Sequence, residues 1–154
     1  MKFRNLAMVT LTGMLILAPR AQAGGESKRS QEEQNKATVV AFYDAAINEK
    51  DFEKASAYIG NRYVQHNPLA ADGPEGLKAF LEWAKVNASG FKVEFKRVLA
   101  DGDFVVVHAH ATSGPEDRGS AVMDIFRLED GKVVEHWDVI QPIPETAMND
   151  NTMF

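Results

Sequence analysis

Four β-runs in unbroken succession, 91–99, 103–113, 119–128 and 132–141, decide what this 154-residue chain can fold into. Asp-Gly pairs at 101–102 and 130–131 mark two of the three connections as tight hairpins. No helical period interrupts the series, so the strands pair antiparallel in chain order. The helical periods all come earlier. Helices first and an antiparallel sheet afterwards define an α+β class, with a curved sheet closing over its own helices.

Upstream of the sheet, Ser30 and Glu33 have the spacing of a capping box, which predicts a helix start there. Val39, Phe42, Tyr43, Ala46 and Ile47 then form one apolar stripe that ends near Asn48. Asp51 can cap a second, shorter helix with Phe52, Ala55, Tyr58 and Ile59 inward and Gly60 as its stop. A short strand at 62–68 runs into a turn forced by Asn67-Pro68. Pro74 opens a third helix, whose buried stripe is Leu77, Phe80, Leu81 and Ala84.

The first 23 residues have the layout of a secretory signal peptide rather than of a domain. Lys2 and Arg4 precede the apolar run 6–18, and "AQA" at 21–23 supplies small residues at the cleavage positions. An uncleaved anchor helix is the alternative, but the apolar run is short for a membrane span. Cleavage after Ala23 removes Lys2, Arg4 and Arg20, three positive charges, and carries the net charge from −5 to −8. The expected location is periplasmic or secreted, with no membrane attachment after cleavage. Residues 24–29 read as a flexible leader, 30–145 as one domain and 146–154 as a tail. An acidic domain without a basic stripe is a poor nucleic-acid binder. With no cysteine, the exported fold would stand on its core alone.

The last hairpin places Asp124, His136 and Asp138 among Val, Ile, Phe and Trp. A two-residue loop Asp130-Gly131 pairs Glu129 with Lys132 and Asp124 with Trp137, which separates the two aspartates onto opposite faces. A three-residue loop closed by a left-handed Gly pairs Leu128 with Lys132 and Asp124 with His136. That second register gives cleaner faces and is preferred. One face carries Val122, Asp124, Phe126, Val134, His136, Asp138 and Ile140; the other carries Met123, Ile125, Val133, Trp137 and Val139. Both are largely apolar, so the helices would cover one and a partner chain the other. Two carboxylates and an imidazole on one face can tune each other for acid–base work; an exposed ion-pair ladder is the plainer alternative.

"FYDAAINEKD", "YVQHNP", "DGPEGLKAFLEW" and "DIFRLEDGKVVEHWD" together resemble the SnoaL-like branch of the nuclear-transport-factor-2-like superfamily, over nearly all of residues 30–145. The resemblance implies a cone-shaped sheet around a long helix, an internal pocket, a homodimer, and polyketide-cyclase or ketosteroid-isomerase chemistry without metal or cofactor. It places Asp138 at the cyclases' acid–base carboxylate. Asp124 falls at a pocket-lining position and at the isomerase's protonated Asp, and Tyr43 at its oxyanion-binding Tyr. The isomerase base would fall at Asn67, which cannot abstract a proton.

The expected chemistry is proton abstraction next to a carbonyl, with Asp138 as base oriented by His136. Tyr43 and a protonated Asp124 would hold the enolate oxygen. His66, Asn67, Phe126 and Trp83 are the candidate substrate contacts, although Trp83, like Trp137, reads more readily as a packing or dimer contact. His108 and His110 share a strand face without a third metal ligand, so no metal site is assigned to them. The competing function is a non-catalytic module binding a small apolar ligand in the same pocket.

Overall fold

The computed structural model describes residues 20–154; residues 1–19, most of the segment read as a signal peptide, lie outside the described residues. Helix α1 (Arg20–Tyr43) runs into a π-helical turn at Asp44–Asn48, followed by α2 (Phe52–Ser56), β1 (Ile59–Gln65) and α3 (Gly73–Asn87). Strands β2 (Lys92–Asp101), β3 (Phe104–Thr112), β4 (Ser120–Glu129) and β5 (Lys132–Pro142) complete the chain. The sheet is curved and unclosed, ordered β1-β5-β4-β3-β2, antiparallel except that β1 joins β5 in parallel. Its inner face and α1 bury the core around Val39, Phe42, Val105, Val107, Phe126 and Leu128. Each large side chain hidden there contributes about 1.5–3 kcal/mol of burial.

Three local expectations are corrected. The first helix does not start at Ser30, because α1 already runs from Arg20 and includes the supposed leader 24–29. Lys28 holds that turn through Glu32, 3.5 Å away, and Asp101, 3.1 Å away, while Glu33 pairs with Lys36 rather than capping Ser30. Gly60 does not stop a helix but lies inside β1, which begins three residues earlier than expected. A Cβ on Gly60 would come within 2.7 Å of Val134 Cγ1, so glycine lets the edge strand β1 approach its neighbour β5. Asp51 does cap α2, accepting from the Lys54 amide at 3.1 Å.

The third correction is the register of the last hairpin. Its turn is the two-residue one: Glu129 pairs with Lys132, and Asp130 and Gly131 have φ of 49° and 71°. Beyond Leu128–Val133 the pairing shifts, so that Arg127 faces Glu135 and Asp124 faces Asp138. Val134 is the extra residue of a β-bulge, and one extra residue reverses the facing of everything after it. Asp124, His136 and Asp138 therefore do share the inner face, through a bulge in the strand rather than in the turn. Val133 and Val134 exchange their expected sides: Val133 opposes Leu128 in the core, and Val134 is buried against Gly60.

In the other hairpin Asp101 pairs with Phe104, and Gly102 supplies the positive φ of 60°. His108 and His110 alternate with the buried Val107, Ala109 and Ala111, and so lie on the outer face. Residues 143–154 contain no helix or strand. Phe154 closes back over this outer face, 5.5 Å from His108 and 4.6 Å from His110 between ring centres. The tail thus docks on its own sheet.

Candidate active site

The inner face of the sheet, the end of α1 and the first half of α3 enclose a cavity of about 520 Å³. That volume falls within the range of small-molecule sites. Phe42, Leu77, Phe80, Phe91, Val122 and Phe126 supply apolar wall. One polar group, Ser113, Asp117 and Ser120, forms around the β3–β4 connection; the other gathers at the end where β1 and β5 run side by side, with Tyr43, Tyr63, Gln65, Asn67, His136 and Asp138.

Asp138 is anchored at this end. Asn67 Nδ2 donates to its Oδ2 at 2.7 Å. The orientation of that amide is fixed independently, because Asn67 Oδ1 accepts from the Leu69 amide at 2.8 Å. Among the described residues, Asp138 Oδ1 has no hydrogen-bond donor and remains available to a ligand. Asn67 thus lines the cavity as expected, in the role of clamp for the neighbouring carboxylate.

Behind Asp138 runs a chain of hydrogen bonds whose protons can be assigned. The Asn67 amide donates to Gln65 Oε1 at 2.9 Å, so that atom is the carbonyl oxygen. His136 Nδ1 sits 3.0 Å from the same oxygen and must carry a proton. The other ring nitrogen, Nε2, lies 3.0 Å from Asp124 Oδ1, which also accepts from the Tyr43 hydroxyl at 3.1 Å. Asp124 and His136 therefore share one proton across that contact. Burial pushes the Asp124 carboxyl above its ordinary value, and Asp138 adds to this, while the bonds from His136 and Tyr43 oppose it. Asp124 is fully buried and its Oδ2 has no partner, which favours the neutral acid, since a carbonyl oxygen is far cheaper to leave unpaired than a charged one. Burial likewise raises Tyr43 well above a normal phenol, reinforced by Asp124, and raises Tyr63.

The cluster brings together four of the residues expected from sequence, with one change of role. Tyr43, His136 and Asp138 line the cavity, but Asp124 does not reach it. It stands behind Tyr43 and His136, because the carboxyl is short and two larger side chains close over it. Hydrogen bonding of Asp124 to a bound enolate is therefore ruled out in this arrangement. Phe126 lines the cavity and stacks on the His136 ring at 4.7 Å. His66 and Trp83 are not part of the site. His66 pairs with Glu135 at 2.9 Å and stacks on Trp137 on the outer face, because it is one residue out of step with the inward Tyr63 and Gln65. Trp83 is 55% exposed on α3, beside Phe80, and it is Phe80 that reaches the cavity. Tyr63 and Gln65 were missed, although period-two alternation from Tyr63 identifies both.

Asp124, His136 and Asp138 bring potential ligand atoms within 4.8 Å of one another, a spacing that could suit a metal ion. In this arrangement those groups are spent on one another and on their neighbours: the imidazole nitrogens on Gln65 and Asp124, and Asp138 Oδ2 on Asn67.

A helix-filled curved sheet with a polar-ended cavity is the nuclear-transport-factor-2-like architecture. The family model of the SnoaL-like domain matches residues 39–136, more than half of the chain, and the chain belongs to that family. The match ends two residues before Asp138. Similar solved structures include a candidate ketosteroid isomerase from Kribbella flavida, at 17% identity and TM-score 0.63, covering 77% of this chain and 86% of that one. A candidate SnoaL-like polyketide cyclase from Jannaschia sp. aligns at 23% identity and TM-score 0.60, over 71% and 87% of the two chains. An LEH-like epoxide hydrolase from M. tuberculosis aligns at 22% and 0.58, over 71% and 84%. At these identities the likeness shows the fold alone. A comparison with curated proteins gave no match.

Proposed function

We propose that this protein is a cofactor-independent enzyme that removes a proton next to a carbonyl group, with Asp138 as the base. The observation that carries the proposal is the cavity-facing carboxylate of Asp138, clamped through one oxygen by Asn67 and with the other free. Clamping fixes its direction, and a fixed base beside a dry wall is an effective one. The forming enolate oxygen needs a donor, and Tyr63 supplies it. Its oxygen is 3.4 Å from Gln65 Nε2, which donates to it, so its own proton is free for the ligand. The Tyr43 hydroxyl is committed to Asp124 at 3.1 Å, so Tyr43 shapes this end of the cavity and leaves the donor role to Tyr63. Asp124 and His136 are then positioning residues. The reaction is proton exchange followed by isomerisation or ring closure, depending on the substrate. The test is NMR-monitored exchange of α-protons in D₂O with a panel of small cyclic ketones. Binding without exchange for every ketone would leave the apolar-binder function instead, which the largely apolar wall supports.

Two further expectations are part of the same proposal. The outer face of the sheet leaves Leu99, Phe104, Met123, Ile125 and Val139 exposed around Trp137, an apolar surface suited to the same face of a second copy. Sedimentation equilibrium should give a dimer, and Val139→Lys, at a side chain 72% exposed, should shift it to monomer; a wild-type monomer at tens of micromolar would refute this. The basic start, apolar run and "AQA" of residues 1–23 support export and cleavage after Ala23. Expression in a bacterial host should yield a periplasmic chain beginning at Gly24, whereas a cytosolic chain retaining Met1 would contradict it.

A further inference from the structure

We propose that the cavity is selective for uncharged guests and excludes carboxylates, sulfonates and phosphates, so that the substrate is a neutral apolar compound. This deepens the enzyme proposal and rests on the same cavity. Among the described residues, no lysine or arginine side chain lines it. Its ionisable lining consists of two aspartates, two tyrosines and His136, and none of these offers a free positive charge. Both nitrogens of His136 are engaged by Gln65 and Asp124.

The two aspartates lie on different parts of the wall. Asp138 stands at the β1–β5 end, with the buried Asp124 behind it. Asp117 belongs to the β3–β4 connection and accepts from the amides of Ser113 at 2.7 Å and Gly119 at 2.9 Å. Those bonds hold its carboxyl below the ordinary range, so a carboxylate stands there across the working pH range.

The nearest buried cation, Lys50, does not offset them. Its ammonium points at the carbonyls of Ile47, 3.1 Å away, and Phe91, 2.7 Å away, behind the wall that those two residues form. Arg118, beside Asp117 in sequence, is bound to Glu145 at 3.0 Å and is absent from the lining. An anion entering would lose its hydration, meet no counter-ion and face carboxylates. Like charges held close together away from bulk water repel far more than they do in it.

A matched pair of dyes tests this. Phenylnaphthylamine is uncharged, and anilinonaphthalene sulfonate is the same ring system with one negative charge added. Fluorescence titration of the full chain should show the uncharged dye binding at least about tenfold more tightly, which corresponds to about 1.4 kcal/mol. Asp138→Asn keeps the shape and removes the charge, and should narrow the difference several-fold. Equal or tighter binding of the sulfonate by the wild type would overturn the proposal, as would failure of both dyes to bind. An unchanged ratio in Asp138→Asn would also count against it. No turnover is measured, so these outcomes stand apart from whether Asp138 acts as a base.

Discussion

Asp138→Asn is expected to lower α-proton exchange by at least about 100-fold, the lower bound of what a positioned general base contributes. The amide nearly matches the carboxylate in shape, and Asn67 can still reach its oxygen, so the cavity should keep its form and its affinity for a neutral ketone. The loss should therefore appear in kcat with little change in KM, the pattern of a group that acts only in the transition state. Full exchange activity in this variant would sink the base assignment. If exchange is abolished together with folding, the circular-dichroism melt of the variant will reveal it.

Replacement of Asp124 should have the second largest effect, on stability. Asp124→Ala strips the acceptor from the buried Tyr43 hydroxyl and the partner from His136 Nε2, and leaves a void. The expected cost is about 3–5 kcal/mol, in the range for breaking a buried, hydrogen-bonded pair. Asp124→Asn should behave quite differently, because an amide resembles the protonated acid. Folding raises the Asp124 carboxyl above its ordinary value of 3.8, so the native state binds the proton more tightly than the unfolded chain does. The associated stability is present below the unfolded value and is lost as pH rises through the folded one. Chemical denaturation should consequently show Asp124→Asn losing less stability than the wild type as pH rises through that interval. Parallel wild-type and Asn curves across the interval would mean that Asp124 is ionised throughout.

The order of helices and strands was legible because burial leaves a periodic mark: Val39 to Ile47 at helical spacing, and Val105, Val107, Ala109 and Ala111 at period two. Tyr43's place on the cavity wall was legible because it falls on the helical stripe, whereas Asp138's inward direction was reached through a turn register that the structure replaces with a bulge. His66 was misplaced by chemistry taking precedence over parity, since an imidazole next to Asn-Pro looks functional while Tyr63 and Gln65 hold the inward positions. The withdrawal of Asp124 from the cavity depends on how far Tyr43 and His136 reach over it, and no pattern along the chain encodes that depth. Likewise, nothing in "KVVEHW" announces which valine is the surplus residue. A bulge is selected by tertiary packing, here the close approach of Gly60 to Val134.

The bulge also divides β5 into two independently adjustable halves. Residues before it, ending at Val133, answer to the tight turn and the hydrophobic interior. Residues after it, beginning at Glu135, carry the imidazole and the carboxylate. Because Val134 absorbs the change of phase, the loop can keep the sharpest available turn while His136 and Asp138 keep the opposite parity. A sharp turn and a pair of polar groups facing the cavity then occupy one strand without competing for the same alternation.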